Sequence, residues 1–158
     1  MTDPVHGFAV GSGERPRLAA PAGEISVVIG TADSGGSMNV FEFWCPPGKG
    51  PRVHTHSRED EIWWVLEGSF RFLAGDEMLH AETGGVAFGP RGLPHAFQNV
   101  GSAAGRLLIV TAPGGIQPFF DGYAERWQDE SAEALLADLA SEVGLRFVGP
   151  PLSESHPD

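Results

Sequence analysis

The chain of 158 residues has a single cysteine, Cys45, and a single lysine, Lys49. One cysteine excludes an intrachain disulfide, and a reducing cytoplasm is the expected location. Cations are scarce: ten Lys and Arg stand against 21 Asp and Glu, for a formal net charge of −11. That balance argues against nucleic-acid and anionic-membrane partners, both of which need a basic face. No apolar run approaches the length of a bilayer span. The first residues combine neither a basic start nor an apolar core, so no signal peptide is expected there. Internal repeats are missing too, which argues against a duplicated domain.

What the chain has instead is turn chemistry. Its 22 glycines and 13 prolines are spread along its length and separate short apolar or alternating runs. Strands are predicted at 25–29, 38–44, 52–56, 61–66, 69–73, 86–88, 95–100 and 106–111. Gly- and Pro-rich turns lie between most of them, as at 46–48, 83–85 and 90–92. Many short strands at regular spacing predict an all-β sandwich or barrel. Beyond Pro113 the texture changes. A short helix is predicted over 118–128. A better one runs over 129–143, where Leu135, Leu136, Leu139 and Val143 share a face and Gly144 supplies a stop. The expected organisation is an arm (1–23), a β-barrel (24–113), a helical extension packed on it (114–152) and a disordered tail (153–158).

Three of the six histidines, with one glutamate, form a pattern. His54 and His56 are two apart, so on a strand they project from one face and reach a common point. Glu61 follows a polar turn (57–60) and opens the next strand, free to face back toward them. His95 follows the constrained segment Pro90-Arg91-Gly92-Leu93-Pro94. His80, in a polar hairpin, and His6 and His156, near the ends, are assigned no role.

Gly48, His54, His56, Glu61 and Gly68 resemble the first motif of the cupin superfamily, and Gly84, Pro90, Gly92, His95 and Asn99 resemble the second. All ten anchors are in register, with fifteen residues between the motifs, as in compact single-barrel bacterial members. The resemblance implies a jelly-roll barrel and one divalent transition metal ion (Fe, Mn, Ni, Cu, Co or Zn) held by His54, His56, Glu61 and His95. Imidazoles with one carboxylate suit that group of metals, and four protein ligands leave room for water, dioxygen or substrate. The segment after Pro113 loosely resembles the tail of quercetin-dioxygenase-like cupins.

Strand parity places Trp63 and Val65 with Glu61 in the interior, and Phe97 with His95. Phe41 and Phe43 share a face whose side stays open, as does the choice between Leu107/Ile109 and Leu108/Val110. Phe43, Trp63 and Phe97 are the expected substrate-pocket residues. Arg52, with the parity of His54, is expected to be an exposed strand-start residue. The leading expectation is a dioxygenase-like oxidoreductase on a small aromatic or enolic compound, with Glu61 as ligand and general base in turn. The alternatives are a non-oxidative isomerase, cyclase or lyase, and a small-molecule-binding cupin without turnover. A homodimer is expected, because edge strands and the outward face bearing Trp64 call for cover.

Overall fold

The computed structural model describes residues 5–11 and 13–157. Ten strands precede the helices: β1 (Leu18–Ala20), β2 (Gly23–Ile29), β3 (Asn39–Cys45), β4 (Arg52–His56), β5 (Asp60–Glu67), β6 (Ser69–Ala74), β7 (Glu77–Glu82), β8 (Val86–Gly89), β9 (His95–Asn99) and β10 (Gly105–Ala112). Helices α1 (Gln117–Arg126) and α2 (Ala132–Val143) follow, then strand β11 (Leu145–Pro151) and the short helix α3 (Leu152–Ser155). The strands form two antiparallel sheets, ordered β1-β2-β3-β10-β5-β8 and β11-β4-β9-β6-β7. This is the all-β architecture that the strand pattern predicts and the jelly roll that the family resemblance implies, with helices added after the tenth strand.

Period-two alternation builds the core. On β5, Glu61, Trp63 and Val65 are buried while Ile62 and Trp64 face out. On β10 the buried set is Leu107, Ile109 and Thr111, which resolves the open choice of parity. Phe41 and Phe43 of β3 point inward with them. Gly68, between β5 and β6, has φ 97°, a backbone that an L side chain rarely adopts. Gly92 likewise has φ 78°, and its N–H donates to the carbonyl of His56 at 2.7 Å, tying the second motif to the first.

Helix α2 starts three residues later than expected, because the side chain of Ser131 accepts the Ala134 N–H and acts as its N-cap. Gly144 closes it in the left-handed conformation. Its apolar face packs on α1, where the hydrogen of Gly122 leaves room for Leu139.

Three strands go beyond the predicted set: β1 in the arm, β7 and β11. β7 is largely exposed and pairs only with β6, so its residues show no apolar alternation. β11 contains Gly149, Pro150 and Pro151 and still pairs antiparallel with β4, because it is an edge strand whose outer N–H groups need no ladder partner.

The stretch expected to be a disordered tail is anchored over its described part; Asp158 lies outside the described residues, as do 1–4 and 12 of the arm. Leu152 is fully buried. The buried Arg71 of β6 donates from Nε to Gln98 Oε1 at 2.8 Å and from its terminal nitrogen to the His156 carbonyl at 2.6 Å. Charge-assisted bonds of this kind hold a segment that has few apolar residues of its own. Arg71→Leu is predicted to release residues 152–157 and cost about 1–3 kcal/mol. Thermal unfolding with limited proteolysis tests this; an unchanged cleavage pattern at the C-terminal end would count against the anchor.

Candidate metal centre

The site is built at the seam between the sheets. β4 contributes His54 and His56, and β9 contributes His95, which stands opposite His54 in register. Glu61 comes from β5 in the other sheet, delivered by the short connection after His56. Glu61 Oε2 lies 3.0 Å from His56 Nε2, 3.1 Å from His95 Nε2 and 4.0 Å from His54 Nε2. One ligand atom from each of the four residues falls within 4.8 Å of the others, and all four side chains are buried.

The chemistry of this donor set fits a cation. Nδ1 of His54 donates to the Arg52 carbonyl at 2.7 Å, and Nδ1 of His95 to the Leu93 carbonyl at 2.9 Å. In that tautomer each Nε2 carries a lone pair, aimed at the same point as the Glu61 carboxylate. Acceptors converging in a buried space repel one another unless positive charge lies between them. Burial, and then the positive charge His95 and His56 can carry, hold His54 down to about 3. For His56 burial works against the charge, but contacts with Glu59 and Glu61 outweigh it and raise the ring to about 9. Burial also opposes the charge on Glu61, yet contacts with His56 and His95 hold that carboxyl well below the usual carboxylate range. Three imidazoles and one carboxylate suit a divalent transition ion.

An apolar cavity opens on the cluster. Phe41, Phe43 and Phe97 form its walls, Phe147 of β11 closes one side, and Phe119 and Phe120 of α1 with Leu136 of α2 cover it. Of the three expected pocket residues, Phe43 and Phe97 line this cavity. Trp63 does not: its ring stands edge-on behind His95 at 5.2 Å and packs against Phe72. Shared strand parity put it inside the barrel, but the inward space at that level belongs to the core. Arg52 is exposed, as expected, but its guanidinium lies over the Phe147 ring at 4.9 Å and borders the cavity. Thr111, opposite Glu61 in register, presents a buried hydroxyl without a hydrogen-bond partner among the described residues. Cys45 is no competing site, since burial pushes its thiol up to about 12.

A family model described as "Cupin domain" matches residues 41–111, the stretch that holds all four residues. The chain belongs to the cupin superfamily. This cupin is 25% identical over 79 residues to the uncharacterized protein MJ1618 of Methanocaldococcus jannaschii, covering 50% of this chain and 63% of that protein. It is also similar to two solved structures. One is the polyketide cyclase RemF of Streptomyces resistomycificus, at 26% identity and TM-score 0.58, over 68% of this chain and 80% of that one. The other is a predicted oxalate decarboxylase of Thermotoga maritima, at 24% identity and TM-score 0.60, over 67% and 99%. The second likeness is one of fold.

Sequence reasoning missed Glu59. Its place in a polar run suggested a solvated turn, but the side chain is fully buried beside His56. Only its position three residues after a histidine ligand candidate could have singled it out.

The opposed histidines give the metal-free protein a pH signature. The raised His56 contributes stability in full below its ordinary value of 6.5, and loses it as pH rises through about 9. The lowered His54 acts oppositely, costing stability as pH falls below 6.5 toward about 3. Chelator-treated protein is therefore predicted to be most stable near the ordinary histidine value. Melting temperatures from about pH 5 to about pH 9 check this; a steady rise through the upper half of that range would contradict it.

Proposed function

We propose that this cupin is a mononuclear metal enzyme acting on a small aromatic or enolic compound, most simply as a dioxygenase-like oxidoreductase. The observation that carries this reading is the cavity: a chamber walled by aromatic side chains, with the three-histidine, one-glutamate cluster at its floor and Arg52 at its border. His54, His56, Glu61 and His95 would hold one Fe, Mn, Ni, Cu, Co or Zn ion, which when bound supplies Lewis acidity, and redox chemistry if the ion is redox-active.

The protein's own residues supply the rest. Apolar walls favour a flat, largely uncharged molecule over a sugar phosphate or a dicarboxylate, whose hydration they cannot replace. The Thr111 hydroxyl offers a single hydrogen bond near Glu61 and orients the ligand's polar edge. Glu61 stays ionised, so it accepts a proton from the substrate's hydroxyl or activated carbon instead of donating one. Helices α1 and α2 exclude water from the chamber.

A non-oxidative cyclase or isomerase is the second reading. It is favoured by the likeness to RemF, a polyketide cyclase. Element analysis comes first: protein made without added metal should carry about one transition ion per chain, and His54→Ala should lose it. The loaded protein should then take up oxygen with an enediol or flavonol panel, and Thr111→Val should raise KM. Turnover under argon would select the cyclase or isomerase reading, whereas a wild type free of metal would sink both.

The same reading includes a homodimer. Ile62, Trp64, Val86 and Phe88 are all exposed on neighbouring strands β5 and β8, and β8 forms the edge of its sheet. Contiguous apolar surface next to an open edge calls for cover. Sedimentation should give twice the chain mass of 16.8 kDa, and Trp64→Glu should shift it to the monomer. A wild-type monomer at high concentration would refute the dimer.

A further inference from the structure

Glu59 is the anomaly of this molecule. It lies between His56 and Glu61 in the chain, with 0% of its surface exposed. Among the described residues, neither carboxylate oxygen has a hydrogen-bond partner. A buried carboxylate without donors is among the most unfavourable groups a fold can keep, and such groups mark a function elsewhere.

Its surroundings indicate which function. Glu59 Oε2 is 3.4 Å from His56 Nδ1, in ionic contact but short of a well-formed hydrogen bond. On the other ring nitrogen, Nε2, His56 meets Glu61. The ring therefore sits between two carboxylates, one on each nitrogen. His54 and His95 differ: their Nδ1 atoms are held by the backbone carbonyls of Arg52 and Leu93. Among the three rings, only His56 faces a charge behind it. On its far side, Glu59 reaches the loop that leads into α1. A Cβ on Gly115 would lie 3.1 Å from Glu59 Oε1, so the glycine leaves the carboxylate its space.

We propose that Glu59 is a positioning residue for the metal: its carboxylate accepts from Nδ1–H of His56, keeping that proton on Nδ1, fixes the ring so that Nε2 faces the centre, and strengthens that nitrogen as a donor. This rests on the reading that the four-residue cluster binds a metal. A carboxylate behind an imidazole ligand sets its tautomer and raises its basicity, and its loss costs about 10–100-fold in metal affinity. Removing it is therefore expected to weaken metal binding and to alter the environment of the bound ion, which loss of a residue that merely fills a turn would not do.

The test uses the full chain with Co(II) as the probe, comparing the parent with Glu59→Gln and Glu59→Leu, each checked for fold by circular dichroism. Affinity is measured by competition with a chromophoric chelator, together with the visible Co(II) absorption and the metal-free melting temperature. Both variants are expected to bind Co(II) about 10–100-fold more weakly, with Glu59→Leu the weaker, and to shift the absorption bands. Affinity within twofold of the parent with an unchanged spectrum would overturn the proposal, as would a metal-free melting temperature that falls while affinity holds. If Glu59→Leu does not fold, the near-isosteric Glu59→Gln decides. A parent that binds no Co(II) would refute the metal reading itself, a result separate from failure of Glu59 alone.

Discussion

Two facing sheets meet at one point through a buried cluster of titratable groups. Three imidazoles and a carboxylate converge where β4 and β9 meet β5 across the interior. The main core beside it is aromatic and aliphatic, and its cohesion is ordinary burial. The convergence explains the surrounding detail. Backbone carbonyls of Arg52 and Leu93 orient two rings from behind, and the Gly92 N–H binds the strand end of the third at its carbonyl. Trp63 props His95 from the side, in space that Gly89 leaves free by lacking a side chain. Such support is what allows an unfavourable cluster to persist, and a cation is what would make it favourable.

The cluster was legible in the sequence because its spacing obeys strand geometry. Residues two apart share a face, a polar turn resets the parity for Glu61, and a Pro- and Gly-bound entry delivers His95. Alternation in β5 was equally readable, down to the outward Ile62 and Trp64, whereas β10 alternates visibly but its inward face stayed open until the structure placed Leu107 and Ile109 inside. Legibility failed where local sequence and tertiary role part company. β7 has no apolar face because water covers most of it, and β11 looks like a turn because its prolines are tolerated only at a sheet edge. Glu59 failed for the opposite reason: a polar residue in a polar run is buried, because the run crosses from one sheet to the other directly behind a histidine. Trp63 showed that parity tells inside from outside but not core from cavity.

The chamber is closed by parts that the two motifs do not encode. Phe119, Phe120 and Leu136 come from the helices and Phe147 from the strand after them. The motifs thus supply the convergent cluster, while the segment beyond Pro113 defines the shape in front of it. Specificity in such a design varies by exchange of the covering segment, with the centre left alone.

The pairing of β11 with β4 has a consequence for how the molecule is made. β4 holds two of the four convergent side chains, and one of its edges is completed only by a strand that follows both helices in the chain. While the protein is being synthesised, that edge stays open until β11 emerges, and the Phe147 wall of the chamber is missing. The histidines can gather before then, but the chamber in front of them cannot. An early-bound ion would therefore sit in an open, wet bowl, and only the finished chain turns it into an enclosed, dry one.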